Sequence, residues 1–108
     1  MTDEKIHEGL ATVKPYSLLI FKPGPTPDVK GAEQIQWQHL QYLFNLRSEG
    51  KMLVTCPVTV QAGISGIGIL TITDMEEAKE IFDNDPNVKA GRLVYEVLPC
   101  MGIPGDGL

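Results

Sequence analysis

The sequence predicts an α+β domain whose elements run β-α-β-β-α-β. Three observations carry that prediction. Four apolar runs of strand length are each bounded by Pro, Gly or Asp turn signals. Two stretches free of Pro and Gly place apolar residues at helical spacing. The strand runs are apolar on both faces rather than alternating apolar and polar.

Residues 1–15 are polar, end at Pro15 and read as a flexible leader, which leaves 16–108 as one domain. Tyr16 to Lys22 forms the first strand and stops at Pro23-Gly24-Pro25. The Pro- and Gly-rich stretch from Pro23 to Gly31 is a long loop, of the kind that walls a pocket. From Ala32 to Glu49, Ile35, His39, Leu43 and Leu46 mark one face of an amphipathic helix, and Gly50 is placed to end it. Met52 to Val58 and Ile64 to Thr73 are the second and third strands, and Gln61-Ala62-Gly63 between them predicts an antiparallel hairpin. Asp74 with Glu77 matches a capping box, so a helix follows with Met75, Ala78, Ile81 and Phe82 inward. Asn84-Asp85-Pro86 breaks it and starts one short turn that ends at Gly91. Arg92 to Leu98 is the fourth strand, stopped by Pro99, and the Gly-rich tail is irregular. This order is the split βαβ, or ferredoxin-like, arrangement: a four-stranded antiparallel sheet with both helices on one face.

Two helices cover one face of such a sheet. In the first strand Tyr16, Leu18 and Ile20 oppose Leu19 and Phe21, and in the fourth Leu93, Tyr95 and Val97 oppose Val94 and Leu98. A second copy of the chain is the economical cover for the remaining face, so a homodimer packed sheet to sheet is expected.

Composition narrows the function classes. The chain has 108 residues, 43% hydrophobic, with a net charge of −5. Seven lysines and two arginines are scattered along it, which argues against nucleic acid. No apolar run reaches the ~18–20 residues of a membrane span, and no signal-peptide pattern precedes the domain, so a cytoplasmic protein is the default. Cys56 and Cys100 form no CxxC pair and read as free thiols. With two histidines, a metal site is not expected, and no cofactor fingerprint occurs.

The chemistry-bearing candidates are few. His39 sits on the apolar stripe of the first helix, as a structural histidine or as a general acid or base inside a pocket. Asp85 before Pro86 is a helix N-cap or the carboxylate that orients such a histidine. Spacing does not bring the two together; only the fold can. Gly66 and Gly68 bare one face of the third strand, for close helix packing or as a pocket floor. Phe21, Leu43 and Cys56 complete the pocket-lining candidates.

Several segments resemble the YCII-related family: QHLQYLFNLRSEGKMLVTCPV from Gln38 to Val58, the stretch from Gly66 to Pro99 with its D-P-x-V-x-A-G step, and FKPGP after the first strand. The resemblance spans roughly residues 16–104. It implies a ferredoxin-like fold that dimerises into an α/β barrel, and an active-site His–Asp pair that corresponds to His39 and Asp85. It also implies kinship with a dehydrochlorinase acting on a chlorinated hydroxymuconate and, more distantly, with muconolactone isomerases. Thr55-Cys56-Pro57 departs from the Ala-Gly-Pro of many relatives and puts a thiol near the expected pocket. The expected function is cofactor-independent acid–base chemistry on a small organic acid, of lyase, isomerase or hydrolase type. The alternative is a non-catalytic ligand-binding or structural dimeric module.

Overall fold

A computed structural model describes residues 1–108. Its elements are α1 (Asp3–Leu10), β1 (Lys14–Pro23), α2 (Ala32–Ser48), β2 (Met52–Pro57), β3 (Gly66–Leu70), α3 (Met75–Asp83), α4 (Pro86–Lys89) and β4 (Leu93–Gly102). The four strands form one antiparallel sheet in the order β2-β3-β1-β4. This is the ferredoxin-like α+β arrangement, with β1 paired on both sides.

Local chemistry sets the element ends. At the C-terminus of α2, Gly50 takes φ 73° and its N–H donates to Arg47 O at 3.0 Å, while Lys51 N–H donates to Leu46 O at 2.9 Å. That crossed pair satisfies two end carbonyls and turns the chain into β2. Asp74 caps α3 by accepting from Glu76 N–H at 3.0 Å, a one-way cap rather than the reciprocal box expected from Glu77.

Four boundaries differ from expectation. The segment read as a leader contains a helix, because Thr2 caps it by accepting from Lys5 N–H at 3.2 Å and Asp3 and Glu4 complement the first turn. Strand β4 runs through Pro99 to Gly102, because β4 is an edge strand with a free side for the missing N–H. Strand β1 likewise includes Pro15 and Pro23, which pair with β4 alone, outside the β3-paired stretch from Ser17 to Phe21. Strand β3 is shorter than the apolar run, since Ile64, Ser65 and Thr71 to Thr73 fall outside it.

The core lies between the sheet and the helices. Leu19, Phe21, Leu43, Leu46, Met52, Leu70, Ile72, Ala78 and Phe82 form one buried cluster. Phe21 and Phe82 meet edge to face at 6.1 Å. The opposite sheet face stays open in the single chain, with Leu53 49%, Ile67 37%, Val94 44% and Leu98 47% exposed. The radius of gyration is 15.8 Å, against about 13 Å for a compact chain of this length. No residue of α1 is buried, and Ile6 and Leu10 on it face solvent.

Candidate functional site

The apolar stripe of α2 carries His39 inward beside Leu43 and Leu46, leaving it 6% exposed. Asp85 follows α3 directly and is held at the start of α4, fully buried. Its extended backbone and the Pro86 that follows fix the turn, and its Oδ2 accepts from Asn87 N–H at 3.0 Å and Val88 N–H at 3.2 Å. Its Oδ1 lies 2.7 Å from His39 Nδ1. The fold therefore joins the two candidates that spacing left apart. Asp85 is both the cap of α4 and the partner of the ring.

An ionised Asp85 accepts at both oxygens, so Nδ1 is the ring nitrogen that donates to it, and in the neutral ring Nε2 is the acceptor nitrogen. Nε2 has no partner within the chain, yet no buried side-chain nitrogen or oxygen is left unsatisfied, so it is reached by solvent. The ring is steadied by Phe21, which meets it edge to face at 5.5 Å.

His39 lines a cavity of about 180 Å³ between α2 and the β2–β3–β1 part of the sheet. Phe21, Leu43 and Gly66 line it as well. A Cβ at Gly66 would stand 3.2 Å from Cys56 O, so the bare position also permits close strand approach. Gly68 does not line the cavity. A Cβ there would stand 3.1 Å from Val54 O and 3.5 Å from the side chains of Leu19 and Met52, so this glycine serves core packing.

Cys56 contributes to the rim, but its register partner is Ile67, on the outer face of the sheet. A bulge between Met52 and Val54 shifts the alternation by one residue, so Thr55 faces the cavity and the Cys56 side chain points away from it. The thiol expected near the pocket is thus on the other face.

Three polar residues that the sequence did not single out complete the wall: Gln36, Asn87 and Arg92. Asn87 Nδ2 donates to Gln36 Oε1 at 2.9 Å, and Arg92 Nη1 donates to Asn87 Oδ1 at 2.6 Å. One signal for Gln36 was present, since it precedes His39 by one helical turn and shares its face. Behind the dyad, Tyr42 donates to Ile81 O at 2.6 Å and ties α2 to α3. Burial pushes its phenol pKa up, and the nearby Asp85 charge adds to the shift. No three His, Cys, Asp or Glu side chains converge to hold a metal ion. No helix is long and apolar enough to cross a membrane.

The chain matches the family model of the YCII-related domain over residues 10–101, and it belongs to that family. No curated protein sequence matches it significantly. Among solved structures, it is similar to 5-chloro-2-hydroxyhydroquinone dehydrochlorinase from Burkholderia phenoliruptrix AC1100, in complex with 2,5-dihydroxybenzoquinone. The TM-score is 0.53 at 22% identity, covering 76% of this chain and 90% of that one, a likeness of fold. That enzyme is named for a chlorinated hydroxyhydroquinone, where the resemblance had suggested a chlorinated hydroxymuconate.

Proposed function

We propose that this YCII-related chain is a cofactor-independent acid–base enzyme acting on a small organic acid, with His39 as the proton acceptor and Asp85 as the group that orients it. The observation that carries this reading is the asymmetry of the ring. Nδ1 is locked to a buried carboxylate at 2.7 Å, while Nε2 has no partner in the chain and the ring lines a cavity. A ligand C–H or O–H placed within about 3 Å of Nε2 would give up its proton there. The imidazolium so formed is balanced by the carboxylate, which also keeps the ring in the tautomer that accepts at Nε2. Returning that proton elsewhere on the ligand gives isomerisation. Losing an anionic leaving group from the neighbouring carbon gives elimination, the class named by the dehydrochlorinase of similar fold.

The working unit in this reading is a homodimer that joins the two open sheet faces. Exposed Leu53, Ile67, Val94 and Leu98 support it, as does the extended shape of the single chain. A cytoplasmic location remains part of the same proposal.

The second reading is a non-catalytic module, favoured by one observation: Asp85 already has a structural task, since capping α4 and holding His39 ties α2 to that turn. The variant His39→Asn separates the two, with muconolactone, a small carboxylic acid, and 5-chloro-2-hydroxyhydroquinone as the first substrates tested. The enzyme reading expects turnover by the wild type and a loss of about 10²–10⁴-fold in a variant that still folds and dimerises. A wild type that binds without turnover, with a variant that loses only thermal stability, would establish the module.

A further inference from the structure

Arg92 is one of two arginines in the chain and stands on the wall of the cavity that His39 lines. The ion pairs of the structure involve Lys22, His39, Lys51 and Lys79, and none of them uses Arg92. Its partners are neutral acceptors. Nε donates to Pro27 O at 2.8 Å, and Nη1 donates to Asn87 Oδ1 at 2.6 Å and to Gln36 Oε1 at 3.3 Å. Gln36 and Asn87 are themselves joined at 2.9 Å, so the guanidinium is held by an ordered amide pair at Nη1 and by the Pro27 carbonyl at Nε. A guanidinium has five N–H groups in a rigid fork. Here Nε and Nη1 are committed and Nη2 has no partner in the chain.

The result is a cation whose orientation is fixed and whose charge is not cancelled, in an acidic chain of net charge −5. A surface arginine of no function would take a nearby carboxylate or stay loose in water, because holding a long side chain still costs entropy. We infer that Arg92 is the anion anchor of the His39 cavity, receiving a carboxylate of the ligand at Nη2 while His39 acts on another atom of the same molecule. This rests on the proposed acid–base reading and names the residue that selects its substrate class.

Cavity size narrows that class further. The cavity holds about 180 Å³, and a dry cavity of about 150 Å³ accepts benzene. The anionic group and the reacting atom therefore sit within one ring's width of each other. Phe21 and Leu43 offer apolar surface for the rest of the molecule. The ligand class is a single-ring or short-chain carboxylate rather than a polyanion or an extended molecule.

The probes are benzoate and its uncharged isostere benzamide, titrated calorimetrically into the full chain. Wild type is expected to bind benzoate at least about tenfold more tightly than benzamide, as a charge-assisted contact demands. Arg92→Gln should erase that preference, Arg92→Lys should keep part of it, and His39→Asn should keep all of it. Equal binding of the two probes, no saturable binding of either, or an undiminished preference in Arg92→Gln would overturn the anchor. If Arg92→Gln fails to fold, the wild-type comparison and its weakening with salt still decide. A His39→Asn variant that loses turnover in a protein without benzoate preference removes the anchor and leaves the dyad. Benzoate preference together with full turnover in His39→Asn does the reverse.

Discussion

On the helix-covered face of the sheet, Leu19 and Phe21 of β1 are buried and reach 0% and 6% exposure, and Leu70 of β3 reaches 0%. On the other face, Leu18 and Ile20 of the same strand are half-buried, while Val94 and Leu98 of β4 are 44% and 47% exposed. The residue types hardly differ between the faces. What differs is the cover: α2 and α3 pack on one face, and no helix packs on the other. The covered face holds the stability and the candidate site together, because the stripe that buries Leu43 and Leu46 also delivers His39. The open face offers area that contributes to folding only when a partner supplies the other half.

The strongest way to break this contrast is to empty the covered face. Phe82 is fully buried and touches both Phe21 and Tyr95. Phe82→Ala should cost about 3–5 kcal/mol in urea unfolding, enough to leave a marginal domain largely unfolded. A smaller and qualitatively different effect is expected on the open face. Ile67→Asp should leave the far-ultraviolet circular dichroism of the chain intact and convert the proposed dimer to monomer at micromolar concentration. Sedimentation velocity checks this, and a variant that still dimerises would mean that the partner sits elsewhere.

The smallest effect sharpens the comparison at the seam where α3 meets β4. Tyr95 donates to Asp83 Oδ1 at 2.7 Å, and Lys79 Nζ holds Asp83 Oδ2 at 2.6 Å. The bond from Lys79, and then that from Tyr95, lowers the Asp83 pKa. Its contribution is therefore present above the unfolded carboxylate value of about 3.9 and is lost as pH falls through the lower folded value. Burial first, then the bond to Asp83, raises the Tyr95 pKa. That contribution is present below the unfolded value of about 10 and is lost as pH rises through the folded one. Tyr95→Phe should flatten the alkaline limb of stability, and Asp83→Asn the acid limb. Thermal melts from pH 3 to 11 check both, and unchanged limbs would show that the seam is too exposed to count.

Much of this was legible along the chain. The order of elements followed from period and punctuation, and His39 and Asp85 were each conspicuous, one for being polar on an apolar stripe and one for preceding a proline. Their pairing was not legible from spacing, because 46 residues separate them and contact depends on how α2 packs against α4. The resemblance to a family supplied what periodicity could not. The side on which Cys56 presents its thiol is not legible in the sequence, because strict alternation from Met52 points it inward and a single bulged residue reverses that. Arg92 was passed over as the first residue of a strand, since its meaning lies in two amides, Gln36 and Asn87, from separate elements. Pro99 looked like a stop signal because a sequence does not announce which strand will lie at an edge.

The long β1–β4 ladder has a consequence for how the molecule comes into being. Its register runs from Lys14 against Gly102 to Pro23 against Leu93. The interior strand β1 is thus synthesised before the other three strands of the sheet, and its flanking partner β4 after them. Closing a loop of that length costs about 4 kcal/mol of chain entropy before any contact repays it. Folding should accordingly be slow for so short a chain, since distant pairings set the pace. On the ribosome, β1 must wait with one edge unpaired. Arg92 directly precedes β4, so the guanidinium reaches the wall of the His39 cavity with this late segment.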